Sequence, residues 1–113
     1  MQLNWTMPAD RNELEEGPHN FQIGEFFTTR GSLGIPLTEL ESLETVIAWC
    51  NLGSDSLREQ GRAEDLQRSL FIACGLKGKV EDSRAFVGKI VSATIARADN
   101  GQWRVHAIAP PQS

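Results

Sequence analysis

The chain has no tyrosine, two histidines and two cysteines, and it lacks every short motif that would announce chemistry. Cys50 and Cys74 form no CxxC and sit with no further ligand cluster, so two buried thiols of a reducing compartment are the plain reading and a disulfide the alternative. His19 and His106 have no carboxylate or cysteine at ligand spacing, so neither a metal nor any other cofactor is expected. No GxGxxG, P-loop lysine, HExxH or nucleophile elbow occurs. The carboxylate pairs Glu15-Glu16, Glu39/Glu41 and Glu81-Asp82 read as solvated charge. With no acid–base set in sight, a non-enzymatic protein is expected. No apolar run approaches the roughly 20 residues of a membrane helix, and the start Met1-Gln2-Leu3-Asn4-Trp5 has neither the basic nor the apolar part of a secretion signal. A cytoplasmic protein without a membrane partner is the expectation.

What remains is a chain of 113 residues, 40% of them hydrophobic, sufficient for one core. Its net charge of −4 hides a division. Residues 1–57 carry nine acids and two bases; residues 58–113 carry six acids and nine bases. A polyanionic partner is therefore restricted in where it can sit, since phosphate contacts supply most non-specific nucleic-acid affinity.

Along the chain, residues 1–16 are polar and irregular and read as an N-terminal arm, with Trp5 available to dock it onto the core. Residues 17–113 form the single domain. After Gly17-Pro18, alternation from His19 to Thr29 predicts a strand with a bulge at Gly24, which turns Phe26 and Phe27 to opposite sides and leaves one ring exposed. Arg30 to Gly34 reads as a loop. Residues 37–52 are open to two readings. Leu37, Leu40, Leu43, Ile47 and Cys50 recur at helical spacing, with Thr38 and Glu41 as a capping box. Thr45 to Cys50, however, is β-rich. Residues 53–61 read as a polar connection.

Arg62 to Cys74 predicts a helix with Leu66, Leu70, Ala73 and Cys74 on its apolar face and Gly75 at its left-handed cap. The last segment predicts a β-hairpin entered through Phe86-Val87-Gly88-Lys89 and turned at Asn100-Gly101. A two-residue turn there sets Ala98 opposite Trp103 and Arg97 opposite Arg104, two cations on one face. Two surfaces suit binding. One is basic and aromatic, with Phe26, Phe27, Arg30, Lys89, Arg97, Trp103 and Arg104, the residue types that stack bases and meet phosphates in single-stranded nucleic acid. The other is the acidic run from Glu39 to Glu44, suited to a basic protein partner.

The segment from Asn51 to Pro111 resembles a family of small phage-encoded proteins found near recombination and strand-annealing genes, OB-like binders of single-stranded DNA. The resemblance is carried by Gly61-Arg62 leading into a helix that ends Ala73-Cys74-Gly75-Leu76, then Asp82, Phe86-Val87-Gly88-Lys89, Asn100-Gly101 and Pro110-Pro111. Gly17 before an aromatic strand and Thr28-Thr29-Arg30-Gly31 after it fit the start of the pattern. It implies an α+β fold, a small incomplete OB-like barrel of four or five short strands with one packed helix. That family places two strands where residues 37–52 lie. The implied function is non-catalytic binding of single-stranded DNA in phage replication or recombination. The alternative is a protein-interaction module or inhibitor that uses the acidic surface, possible also as a homodimer joined through a sheet edge.

Overall fold

Strands dominate because β-branched and aromatic residues alternate with small polar ones over most of the chain. The computed structural model describes residues 1–8, 13–51 and 56–112. It is an α+β domain: a six-stranded antiparallel sheet with one helix. In chain order the elements are β1 (Gly17–Ile23), β2 (Phe27–Thr29), β3 (Ser32–Glu39), β4 (Thr45–Asn51), α1 (Leu57–Cys74), β5 (Ile90–Arg97) and β6 (Trp103–Ala109), with a 3-10 turn at Ser83–Ala85. β1 is central, pairing with β3 on one side and β5 on the other. β3 carries β4 along its length, and β5 carries β6.

β1 and β2 are one bent strand. Residues 24–26 face only Ile35 and Pro36, since Ile23 pairs with Leu37 and Phe27 with Gly34. Pro36 has no N–H to donate, so the ladder breaks there, and its carbonyl accepts from Gly24 N at 2.8 Å. The extra residue turns Phe26 inward and Phe27 outward. The core follows the inward positions: Phe21, Ile23, Ile35, Leu37, Val46, Ala48, Val91, Ala93 and Ile95, closed by Leu70 and Ala73 of α1 and by Phe86. Leu14 of the N-terminal segment joins them. Trp5 does not: it is 85% exposed, so the arm is not docked through that ring.

Residues 37–51 are two strands and a turn, and of the two readings the helical one is corrected. Leu40 and Leu43, which supplied its periodicity, are 45% and 50% exposed in the turn. Glu39 builds that turn: its buried carboxylate accepts from the N–H of Glu41 and, at 3.1 Å, from that of Ser42. Burial alone would push its pKa up, but these hydrogen bonds outweigh it and hold the carboxyl below its ordinary value of 4.5. A carboxyl depressed by folding contributes stability that is complete above the unfolded value and lost as pH falls through the folded one. Glu39→Gln should therefore cost about 1–2 kcal/mol at neutral pH, and less as the pH approaches the folded value. Chemical denaturation of both proteins at several pH values checks this; parallel curves would exclude the carboxylate as the cause.

Three further expectations change. The helix starts at Leu57, not Arg62, capped by the Ser56 hydroxyl, which accepts from Glu59 N at 3.4 Å. The predicted face, with Leu70 and Ala73 buried, and the left-handed cap at Gly75 stand as read. Arg30 to Gly34 is no loop: Arg30 and Gly31, at φ 48° and 81°, form a two-residue turn into β3. The final hairpin turns through three residues. Ala98 and Gln102 close it, Gly101 alone has positive φ, and Asn100 Oδ1 accepts from Gln102 N at 3.0 Å. The register moves by one, so Arg97 faces Trp103 and Arg104 faces Ala96. Parts of the arm, at 9–12, and of the connection before the helix, at 52–55, lie outside the described residues.

Candidate functional site

The side of the sheet turned away from the core is neutral across β3 and β4. Its outward positions are Ser32, Gly34, Pro36 and Thr38 beside Asn51, Trp49, Ile47 and Thr45. None of these positions is itself charged, and at the end of β4 Asn51 Nδ2 donates to the Glu59 carboxylate of α1 at 3.0 Å. Across its middle, Phe27 of β2, Gly34 of β3 and Trp49 of β4 are direct neighbours. The two rings close over the glycine with centroids 5.5 Å apart and planes at 83°, an edge-to-face pair. Both remain open to solvent, Phe27 at 39% and Trp49 at 53%.

Gly34 is what permits this. A Cβ at that position would stand within 2.7 Å of Phe27 Cε1 and 2.8 Å of Cε2, inside van der Waals contact. Because the neighbour is an exposed ring, Gly34→Ala should push Phe27 off Trp49 and cost little stability, about 1 kcal/mol or less. Thermal unfolding and the near-ultraviolet dichroism of the aromatic pair check it. A melt lowered as far as that of a core mutant would show that the glycine serves the core instead.

Trp49 also begins a cleft of ≈ 440 Å³ between β4, β6 and α1, lined among others by Leu66, Arg62, Arg104 and His106. β4 and β6 come within 8 Å between Cα atoms here, yet no ladder joins them. Two cations thus line the cleft that Trp49 borders. Asp65 on the same wall is an acid in this cleft, and it is bonded to Arg68 at 3.3 Å.

The sequence-predicted residues divide. Phe27 packs on Trp49, which lines the same cleft as Arg104. Arg30 stands exposed at the tip of the β2–β3 turn. Phe26 faces inward, half-buried, stacked on Phe86 at 5.7 Å. Arg97 lies over the Trp103 ring at 4.1 Å, and its Nη1 donates to Gly101 O at 2.7 Å, while Trp103 packs against the core. That pair replaces the expected clash of Arg97 with Arg104 by a cation–π contact, and it covers one face of Trp103. Lys89 is exposed at the entry to β5, with its charge felt at Cys74. Trp49 and Arg62 were missed. The signal for Trp49 lay in Val46, Ala48 and Cys50, whose alternation turns it outward.

Neither thiol is poised for chemistry. Cys50 and Cys74 are free, and burial pushes both thiol pKa values up. His19 Nε2 hydrogen-bonds Glu15 O at 2.7 Å. Among the described residues no group of three or more His, Cys, Asp or Glu is arranged to hold a metal ion, and no helix is long and apolar enough to cross a membrane. The acidic run is also smaller than it reads: the Glu39 carboxylate is turned into its own turn, leaving Glu41 and Glu44 exposed. No family model matches the chain, and no curated protein matches its sequence.

Proposed function

We propose that this chain binds single-stranded DNA without catalysis, through an OB-like open barrel. The observation that carries the reading is the exposed Phe27–Trp49 pair over Gly34, continuous with a cleft bearing Arg62 and Arg104. Aromatic faces stack successive bases whatever their sequence, and cations beside them track the phosphates. If β1 and β2 are counted as one bent strand, the order β4-β3-β1-β5-β6 with a helix before β5 is compatible with a five-stranded, partly open barrel. In such barrels the face of the second and third strands, here β3 and β4, takes oligonucleotides. The resemblance of residues 51–111 to phage-encoded single-strand binders points the same way, to a role in replication or recombination.

In this reading Phe27 and Trp49 stack bases, while Arg30, Arg62 and Arg104 meet phosphates. Three such contacts predict that log K falls against log salt with a slope of about −2 for a single strand. Fluorescence anisotropy of a labelled oligo-dT across a salt series measures it. A salt-independent affinity, or no binding even at low salt where the phosphate contribution is strongest, overturns the proposal.

A further inference from the structure

Two exposed aliphatic patches stand apart from the cleft and from the outer side of β3 and β4. The first is the tip of the β3–β4 hairpin, where Leu40 and Leu43 are 45% and 50% exposed beside the exposed Glu41 and Glu44. Leu43 holds φ 61°, a left-handed conformation that suits glycine and strains a leucine. The turn itself is built by Glu39 and Ser42, so the fold has no use for a leucine there. The second patch is the end of α1. Ile72 is 63% exposed in the last turn, and the exposed Lys77 and Lys79 follow the cap at Gly75.

The patches carry opposite charge. Residues 13–19 and 39–45 hold six glutamates and no lysine or arginine. They share one end of the sheet, since Leu40 N donates to Asn20 O at 3.1 Å close to the start of β1. Residues 75–89 hold Lys77, Lys79, Arg84 and Lys89 against the acids Glu81 and Asp82. Arg84 is taken by Asp82 at 2.8 Å. Lys79 pairs with Glu81 at 3.4 Å, but both side chains are largely exposed, and such a contact is weak enough for the lysine to exchange partners. Within one copy the patches lie at different ends of the domain. Phe71 of α1 packs on Phe86, which stacks on Phe26 beside Ile35, four residues of β3 short of Glu39. Four strand residues span about 13 Å, and the tip projects beyond them.

We propose that copies of this chain associate head to tail, with Leu40 and Leu43 of one tip against Ile72 of the next copy and Glu41 and Glu44 facing its Lys77 and Lys79. Apolar contact supplies the affinity, while the opposed charges set the orientation and make the encounter salt-sensitive. Each patch meets the other kind and not itself, so every added copy leaves a free tip and a free helix end, and the row stays open. The inference goes beyond DNA binding. It uses none of Phe27, Trp49, Arg62 or Arg104, and it is read without nucleic acid.

Sedimentation of the full chain over a wide concentration range, at low and high salt, tests it with two variants. Leu40→Ser/Leu43→Gly strips the tip, and glycine fits φ 61° better than leucine, so the fold should be kept. Ile72→Glu sets an acid at an exposed helix position, where it would meet the glutamates of the tip. Circular dichroism checks that both match the parent. At low salt the parent's average mass should rise past that of a dimer without a plateau, and fall again at high salt. Each variant alone should associate at least about tenfold more weakly. An equal mixture of the two keeps one intact tip and one intact helix end, and should form pairs and nothing larger. A parent that stays monomeric at concentrations on the order of hundreds of micromolar overturns the proposal. So does a parent that stops at a discrete dimer, a variant that associates as well as the parent, or a mixture no more associated than its components.

Discussion

Trp49→Ala is expected to weaken oligo-dT binding by roughly tenfold or more with the domain still folded. Stacking one base on an aromatic ring is worth about 1–3 kcal/mol, and about 1.4 kcal/mol is a factor of ten. The ring is 53% exposed and stands on the outward side of β4, so its removal opens no cavity in the core. The fold loses the edge-to-face contact with Phe27, about 0.5–1.5 kcal/mol, and little else. Affinity and thermal stability should therefore separate, with a large change in the first and a small one in the second. Trp103→Ala should do the opposite. That ring packs against the core and has Arg97 on one face, so its loss should reach stability first. A folded Trp49→Ala protein with unchanged affinity would remove the aromatic row from the site.

The largest loss of stability is expected at Phe21. It is fully buried, on the central strand, with Val91 opposite on one neighbour and Glu39 on the other. Cutting a buried phenylalanine to alanine costs about 3–5 kcal/mol, through lost transfer energy and the cavity left behind. A domain of this size holds about 5–15 kcal/mol in all, so Phe21→Ala removes a large part of it. Urea denaturation should show the midpoint falling with its slope unchanged, the mark of altered stability at constant surface exposed on unfolding. Phe27→Ala, six positions away and outward, should move the midpoint far less. Comparable losses at both positions would mean that the division between core and outer face is wrong.

The parts of this fold that could be read from the chain are those set by local residues. The alternation around Phe21, the bulge at Gly24, the apolar face of α1 and its cap at Gly75 all depend on neighbours close in sequence. The turn at Asn100-Gly101 was legible as a turn but not in its length. Asn-Gly serves a two-residue turn with both residues at positive φ, and equally a three-residue turn in which only Gly101 is positive and Asn100 bonds the backbone. That single residue exchanged an Arg–Arg clash for Arg97 over Trp103. The first turn of α1 was missed because Leu57 to Gln60 are all exposed and give no apolar face to detect.

Residues 37–52 stayed open between helix and strand for a different reason. Their helical spacing was real in the letters, but β3 is held in the sheet by β1 on one side and by its hairpin partner β4 on the other, contacts that helical spacing does not show. A buried glutamate folding back on its own turn is what ends one strand and starts the next, and acidic residues at that point read equally well as the start of a helix. The candidate site inherits this difficulty. Phe27 and Arg104 were legible as residue types suited to binding, yet Trp49 joins them only once β4 is known to be a strand beside Gly34.

The most direct test is to map an oligo-dT onto the protein by nuclear magnetic resonance. The indole N–H of Trp49 should shift with added DNA, along with the amides of Phe27, Gly34 and Arg104, while the indole of Trp103 moves little. Shifts confined to the outer side of α1 around Ile72, or none at all at low salt, would contradict the account.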